Sequence, residues 1–390
     1  MRPSTVLLAR YMGILLVCIA CLTPIISFVP ATATAAAPTA VESLPFESEQ
    51  PTEAAVDTQP IPIMAYYYIW FDGGKSWTNN KVDWPVLGRY NSDDRKTMEQ
   101  HVRWAKEAGI DGFIVSWKST YQLDKRLAQL VEVAAAADFP LWIIYQGLDY
   151  ERNPLPVEHI AADLDRFIAT YGRNPVFTHD GLPVVIWSGT WEFTPEEIAS
   201  VASRVKGKLT LLASERNLAG YQRLARSVDG NAYYWSSVNP DTFPGYDEKL
   251  AEMGAEVHKN GGLWVAPAAP GFDARMLGGE RVVEREDGAT LRRELAAALQ
   301  SAPDAVGLIS WNEFSENSHV EPSLNYGTAS LAVIADLQHG QPPTLLDFDS
   351  SAPATTNHND MTGLSVVAAF GVFFVISVMA LIKRSNAKPA

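Results

Sequence analysis

The sequence predicts an α/β fold, a (β/α)8 barrel flanked by an N-terminal signal segment and a C-terminal transmembrane helix. Three observations support the barrel. Eight short apolar runs alternate with helical segments, which is typical of a parallel sheet, and eight repeats suffice to close a barrel. Most of the runs are continuously apolar, as strands buried on both faces are. No glycine-rich phosphate loop follows the first run, which argues against the alternative, an open doubly wound sheet.

The predicted strands are rich in β-branched and aromatic residues. They span residues 61–70, 110–117, 140–147, 182–189, 209–215, 231–238, 262–269 and 305–313. The segments between them carry apolar residues at helical spacing. Residues 94–109 are an example, and Gly109 is a typical helix stop. We therefore expect one barrel domain over residues 61–340.

The N-terminal segment predicts export. Residues 1–37 carry two arginines, then a long apolar stretch, then small residues, which is the order found in a secretory signal. Because the apolar stretch is long, a cleaved signal peptide and an uncleaved signal anchor both remain open. Both cysteines, Cys18 and Cys21, lie in this segment, so the predicted barrel has no disulfide, cysteine nucleophile or thiolate metal site. Residues 38–60 are predicted to be a linker.

The C-terminal segment predicts a membrane anchor. Residues 362–382 are apolar and uncharged, long enough to cross a hydrocarbon core of about 30 Å. The tail, 383–390, is basic, which indicates that it is cytoplasmic and that the barrel is extracytoplasmic. A polar stalk, 341–361, precedes the helix, and this context disfavours a buried core helix. We expect a single-pass cell-membrane protein that contacts the lipid bilayer through this helix.

Composition excludes several other classes. The chain is 47% hydrophobic and 19% charged, which excludes disorder throughout, and its net charge of −14 argues against nucleic acid as a partner. The seven histidines show no metal-ligand spacing. Neither a nucleophile elbow nor a P-loop is present. The sequence predicts no metal and no cofactor.

Aromatic residues recur at the carboxyl ends of the predicted strands, where the active site of such a barrel lies. Flat aromatic faces suit the C–H faces of sugar rings, although any single one could simply be core. As a set they predict a polysaccharide or oligosaccharide substrate. The candidates are Tyr66, Tyr68, Trp70, Trp117, Tyr145, Tyr234, Trp235 and Trp311.

Two glutamates after the last strand, Glu313 and Glu316, are the predicted catalytic pair. Cleavage of a glycosidic bond needs one carboxylic acid for the leaving oxygen and a second carboxylate as base or nucleophile. In a continuing strand these two positions would face opposite ways, so we expect a turn at Phe314 and Ser315 and an open cleft around the acids. The alternative is that they are loop-surface or helix-capping charges.

Polar residues in the same region are further substrate-binding candidates. His319 could instead merely hydrogen-bond locally. The set is Glu215, Asp273, Arg275, Asn312, His319 and Glu321.

The segment from Trp311 to Ser323 resembles the signature of glycoside hydrolase family 99, the endo-α-mannosidase-like barrels. Collinear similarities extend the resemblance over about 61–340, and they lie at residues 65–70, 89–94, 101–117, 180–185 and 270–275. The resemblance implies retaining, metal-independent hydrolysis of an internal α-linkage. It also implies that Glu313 is the base on the sugar's own 2-hydroxyl, giving a 1,2-anhydro sugar, and that Glu316 is the general acid. A raised pKa on Glu316 and an ionised Glu313 are then required.

The sequence departs from the family pattern around the acids. Family mannosidases have a bulkier pair between them and a glycine after the second, whereas this chain has Phe314, Ser315 and then Asn317. The motif also resembles that of α-1,3-glucanase barrels. Two alternatives therefore remain, an α-1,3-glucanase-type hydrolase and a non-catalytic barrel that binds envelope glycans.

Overall fold

The computed structural model describes residues 61–78 and 81–339. The predicted signal segment, linker, stalk, transmembrane helix and tail lie outside these residues and stay predictions. Within the described ranges, no helix combines the length and the apolarity that crossing a bilayer requires.

The described residues contain eleven strands, and eight of these occur where the apolar runs predict them. They are β1 (Ile63–Tyr68), β2 (Gly112–Trp117), β3 (Leu141–Gln146), β4 (Thr178–His179), β5 (Leu182–Ser188), β6 (Thr210–Leu212), β7 (Gly230–Ala232), β8 (Leu263–Ala268), β9 (Phe272–Asp273), β10 (Val282–Val283) and β11 (Ala305–Leu308). The sequence did not predict β4, which pairs antiparallel with β5, or the short β9–β10 hairpin.

Eight of these strands pair in parallel around a barrel. β1 lies between β2 and β11, and the pairing continues from β2 through β3 and β5 to β6 on one side. On the other side it continues from β11 through β8 to β7. Between β6 and β7 there is one bridge, in which Ala213 bonds Gly230 and Ala232 through the backbone at 3.0 and 2.8 Å. The predicted α/β barrel-like fold is confirmed, with its thinnest wall at this bridge.

Two strands, β6 and β7, are shorter than predicted, and after β6 side chains replace the backbone partners. The Ser214 N–H donates to Thr190 Oγ1 at 3.1 Å, and the Glu215 N–H donates to Asn231 Oδ1 at 2.8 Å. These bonds satisfy the backbone without a ladder, so the chain leaves the sheet early.

The helices surround the strands. They are α1 (Gly73–Ser76), α2 (Arg95–Glu107), α3 (Tyr121–Ala136), α4 (Val157–Tyr171), α5 (Pro195–Val205), α6 (Leu218–Gln222), α7 (Tyr246–Lys259), α8 (Ala289–Gln300) and α9 (Ala329–His339). Short 3-10 turns occur at Pro175–Phe177, Thr190–Glu192, Arg275–Leu277 and Glu286–Gly288. Asp94 caps α2 by accepting the Lys96 N–H at 3.0 Å, and Gly109 follows the helix at φ 80°, as its stop signal predicts.

The strands divide the core into two layers. In β1, Met64, Tyr66 and Tyr68 belong to a cluster inside the barrel, whereas Ala65 and Tyr67 belong to the layer between strands and helices. Successive side chains of a strand point to opposite faces, so this alternation decides which residues can reach the barrel mouth.

Candidate active site

The segment after β11, residues 309–323, carries both acids and is called the acid loop here. It first runs beside β1, where the Trp311 N–H donates to the Tyr66 carbonyl at 2.8 Å. The Asn312 side chain then accepts the Tyr68 N–H at 2.8 Å and donates to the Tyr68 carbonyl at 3.0 Å. An amide side chain thus completes the pairing of β1. Asn312, predicted to bind substrate, is fully buried and fixes where the acid loop leaves the sheet.

The chain turns between the two acids, at Phe314 and Ser315, as predicted. The Ser318 N–H donates to the Glu313 carbonyl at 3.3 Å and closes the turn. Asn317 has φ 51°, in the left-handed region that glycine and asparagine tolerate best. An asparagine therefore suits this position, where the resemblance leads one to expect a glycine.

Glu313 is surrounded by donors. Its Oε1 accepts the Ser315 N–H at 3.0 Å, and the Ser315 hydroxyl accepts a hydrogen bond from Lys81 Nζ at 2.8 Å. Burial raises the pKa of Glu313, while the Lys81 charge and the Ser315 hydrogen bonds oppose that rise. Lys81 and Ser315 therefore favour the ionised form of Glu313.

Glu316 has weaker support for a charge. Its Oε2 accepts from the Ser236 hydroxyl at 3.4 Å. Burial and then the charge of Glu313 raise the pKa of Glu316 well above its usual range, against smaller effects of Ser236 and Arg152. Glu316 is thus the better proton donor and Glu313 the better base, the order that the resemblance implies.

One expectation about the acids is wrong. Glu313 and Glu316 were expected in an open cleft, but both side chains are only 2% exposed. The turn folds them inward against the ends of the barrel strands. Their burial is the first cause of both raised pKa values.

Four predicted aromatic residues do lie together at the mouth. The hydroxyls of Tyr68 and Tyr234 are 2.8 Å apart, and burial followed by the charges of both acids raises the pKa of Tyr68. Tyr66 packs edge-on against Tyr234 at 4.9 Å, and its hydroxyl has no hydrogen-bond partner among the described residues. The partly exposed Trp70 lies 4.4 Å from the Tyr68 ring. These four side chains form an aromatic surface beside the acids.

Asp273 and Arg275 brace the acid loop from the β9 side. The Asp273 N–H donates to the Glu316 carbonyl at 2.7 Å. The Asp273 carboxylate accepts from Arg275 Nε at 2.9 Å, and this partner holds its pKa below the usual range. Asp273 is therefore satisfied by Arg275, whose side chain is 64% exposed at the rim.

Two aromatic predictions are corrected by strand alternation. Trp117 and Tyr145, neighbours in the β2–β3 register, point outward into the helix-facing layer. Trp117 Nε1 donates to Asp124 of α3 at 2.9 Å, and the Tyr145 hydroxyl donates to Asp163 of α4 at 2.9 Å. Both side chains pack helices against the outer face of the sheet and therefore do not line the barrel mouth.

Two more aromatic predictions are corrected by the packing of residues that follow a strand. Trp311 is fully buried in the helix-facing layer, with its ring 5.3 Å from Phe113. Trp235 packs edge-on against Phe243 at 4.9 Å, with the Lys249 ammonium 4.5 Å above its ring. Trp311 is therefore enclosed, and a cation already covers one face of Trp235.

Two predicted carboxylates are held in structural networks. Glu321 accepts from the Tyr90 hydroxyl at 2.9 Å and lies 3.0 Å from His101 Nε2. Glu215 accepts from Arg223 at 2.8 Å. Both are nearly fully buried, so their oxygens are committed to these partners and not to a sugar.

His319 is a support for the turn. Its ring stacks on Phe314 at 3.8 Å, and its Nε2 lies 3.2 Å from Asp83. Burial and then Arg285 lower the pKa of His319 to about 3, so the ring is neutral. The geometry therefore favours the alternative in which His319 only makes local contacts and does not bind substrate.

Sequence reasoning missed Lys81, Ser236 and Arg152. Lys81 lies between β1 and α2 in a segment without periodicity, and 234 residues separate it from Ser315. Ser236 lies in residues 231–238, which were predicted to be a strand, but it follows the end of β7. Arg152 lies in a turn after β3. No sequence signal pairs any of them with the acids. In residues 61–78 and 81–339, no group of three or more His, Cys, Asp or Glu side chains could hold a metal ion.

Comparison with known proteins gives consistent matches. A sequence profile described as Glycosyl hydrolase family 99 matches residues 76–342. Glycoprotein endo-alpha-1,2-mannosidase of Rattus norvegicus is 22% identical over 290 residues, covering 68% of this chain. The Mus musculus protein of the same name is 23% identical over 295 residues. The chain spans 62% of the length of each of these relatives.

Solved structures give the same match in three dimensions. The GH99 endo-alpha-mannosidase from Bacteroides thetaiotaomicron, in complex with BIS-TRIS-Propane, superposes with a TM-score of 0.63 at 19% identity. The match covers 71% of this chain and 96% of that one. At this identity the likeness shows the fold alone, and the fold agrees with the barrel described above.

Proposed function

The chain belongs to glycosyl hydrolase family 99, and on this premise we propose that it is an endo-acting hydrolase of internal α-mannosidic linkages. One observation carries the proposal. Glu313 and Glu316 are buried on one turn at the barrel mouth, with surroundings that separate their pKa values in the direction that acid–base catalysis needs. The names of the relatives supply the linkage class, since they are endo-alpha-mannosidases.

The proposed first step breaks the glycosidic bond. Glu313 removes the proton of the sugar's 2-hydroxyl, whose oxygen attacks C1 to form a 1,2-anhydro sugar. Glu316 gives its proton to the departing glycosidic oxygen. The charge of Lys81, which is held in place by its hydrogen bond to the Ser315 hydroxyl, opposes the effect of burial and so favours the ionised form of Glu313 for this step.

The proposed second step restores the enzyme. Glu316, now ionised, removes a proton from water, and the water oxygen opens the anhydro ring at C1. The 2-oxygen takes back the proton held by Glu313. Two inversions at C1 give net retention, and because the two carboxylates perform every proton transfer, the scheme needs no metal ion.

We also propose that the enzyme is anchored to the cell membrane with its barrel outside. The basic, apolar and small-residue order of 1–37 and the apolar 362–382 with its basic tail support this placement. Protease added to intact cells should cut within 341–361 and release the barrel. Recovery of a protected barrel in the cytosol would contradict the placement.

A linkage screen tests the proposed activity. The full chain in detergent is offered α-1,2-, α-1,3- and α-1,6-mannans and α-1,3-glucan, and new reducing ends are counted, with Glu316→Gln as the control. Cleavage of a mannan supports the proposal. Cleavage of α-1,3-glucan alone would replace it with a glucanase, and binding of glycans without any cleavage would make the chain a binding barrel.

A further inference from the structure

Three cations lie at the carboxyl ends of strands away from the acid loop, and we call them the basic cluster. Lys118 follows β2, Arg152 lies in the turn after β3, and Arg216 follows β6. In the order of strands around the barrel, β3, β5 and β6 lie across from β11. Arg152 and Arg216 therefore border the same mouth as Glu313 and Glu316, on the side across from β11, and Lys118 follows the neighbouring strand β2. Arg152 comes near enough to the acids to lower the pKa of Glu316.

Arg216 has the arrangement of a ligand-binding side chain. Its guanidinium lies 3.3 Å from the centre of the Trp191 ring, which holds the guanidinium plane in place. Its Nη1 is buried and has no hydrogen-bond partner among the described residues. A buried N–H without a partner is costly, and an oxygen of a bound ligand would satisfy it.

Burial is the first cause of a lowered pKa in each of the three cations. For Arg216, burial and then the charge of Arg152 lower the pKa to about 10, ahead of the opposing charge of Glu192. Glu215 lies near Arg216, but it is paired with Arg223 at 2.8 Å.

Carboxylates act on the other two cations, Asp149 and Asp163 on Lys118 and Glu192 and Glu316 on Arg152. Glu192 also acts on Arg216, but it is exposed to solvent. The charge that acts most on Arg216 is another cation, Arg152, so an anionic ligand at Arg216 would offset this repulsion.

We propose that the basic cluster is a substrate subsite for an anionic group, so that the enzyme acts on a glycan chain bearing phosphate or carboxylate substituents. Guanidinium forks match both kinds of anion, and the cluster faces the acids across a mouth that a sugar chain would fill. This inference rests on the proposed function, because the subsite gains its meaning from cleavage at Glu313 and Glu316. It adds the requirement that the glycan carry negative charge, which hydrolysis of an α-mannosidic linkage does not imply.

The test compares two substrates that differ only in charge. The kcat/KM of the full chain is measured on an α-mannan oligosaccharide and on the same oligosaccharide carrying phosphate monoesters. Wild type should favour the phosphorylated one, and Arg216→Gln should cut that preference by about 10- to 100-fold. Arg103→Gln, an exposed arginine on the outer helix α2, is the matched control and should keep the preference.

Binding to the full chain identifies the anion. Mannose 6-phosphate, glucuronate, inorganic phosphate and mannose are compared by titration calorimetry. Tighter binding of any anion than of mannose, weakened by Arg216→Gln, supports the subsite, and the preferred anion tells phosphate from carboxylate. Anions that bind no better than mannose, or equally well to Arg216→Gln, would overturn it.

The outcomes separate this inference from the proposed function. Cleavage of both oligosaccharides at equal kcat/KM, with no change of ratio in Arg216→Gln, removes the subsite and leaves the hydrolase. Anion binding that depends on Arg216, without cleavage of any mannan, keeps the subsite and removes the hydrolase.

Discussion

Buried carboxylates occur in two regions of this barrel, and the regions treat them differently. On the acid loop, Glu316 has one weak donor at 3.4 Å and a second carboxylate beside it. At the corner between β6 and α6, Glu215 is just as buried but accepts from Arg223 at 2.8 Å. Burial alone therefore does not identify a catalytic acid. A buried acid that forms no ion pair and lies close to a second carboxylate is the stronger candidate.

A third buried acid sharpens the comparison. Glu294 of α8 is fully buried, and burial raises its pKa well above the usual range. Its Oε2 accepts from the Ala269 N–H at 3.0 Å and from the Tyr246 hydroxyl at 3.3 Å. No second carboxylate acts on it, and it lies behind β8 on the helix side. A raised pKa needs a partner acid and a place at the barrel mouth before it indicates a candidate catalytic residue.

The largest expected effect comes from the acid loop. Glu313→Gln and Glu316→Gln should each lower kcat by about two to four orders of magnitude, the usual range for lost acid–base catalysis. Glu316→Gln should keep the melting temperature, because it removes a repulsion. Glu313→Gln should lower it slightly, because Lys81 loses its counter-charge. Glu248→Gln, at an exposed position on α7, is the control. Equal kcat in all three variants would show that Glu313 and Glu316 are not the catalytic pair.

Glu215→Ala should show the opposite pattern. Loss of the buried partner of Arg223 should cost about 2 kcal/mol of unfolding free energy and lower the melting temperature by several degrees. The kcat and KM on a neutral mannan oligosaccharide should stay within about twofold. A large rise in KM at an unchanged melting temperature would show that Glu215 binds substrate after all.

Lys81→Met should move the acidic limb of the pH profile. The Lys81 charge opposes the rise in the pKa of Glu313, so its loss raises that pKa further. Because Glu313 must be ionised to act, the acidic limb of kcat/KM should move to higher pH. Lys259→Met, on the exposed end of α7, is the control. An unmoved limb, or one moved to lower pH, would exclude the proposed role of Lys81.

The smallest effect should come from the helix-facing aromatics. Tyr145→Phe removes one hydrogen bond to Asp163 and should cost about 1 kcal/mol of stability without changing KM. Tyr68→Phe, on the interior side, should instead lower kcat/KM, because its hydroxyl lies beside both acids. A raised KM in Tyr145→Phe would place that side chain back at the mouth.

The barrel was predictable because its signal is repeated and local. Each strand is a short apolar run, and α2 ends at Gly109 where the sequence predicts. The direction of each side chain was not predictable from the same runs. They are apolar on both faces, so no alternation shows that Tyr68 points inward and that Trp117 and Tyr145 point outward.

The candidate site was predictable only in part. The two acids and their turn follow from the segment after the last strand. Their surroundings depend on residues far away in sequence, since 234 residues separate Lys81 from Ser315 and 220 separate His101 from Glu321. A sequence shows that both partners exist but gives no sign that folding brings them together.

The most direct test of the central claim is the response of the two glutamine variants to leaving-group ability. Each is assayed on an α-mannosyl substrate with a natural sugar leaving group and on one with an activated group, such as fluoride, that needs no protonation. If Glu316 is the acid and Glu313 the base, the activated substrate should restore much of the kcat of Glu316→Gln and little of that of Glu313→Gln. Equal rescue of both variants, or rescue of Glu313→Gln alone, would contradict the assignment.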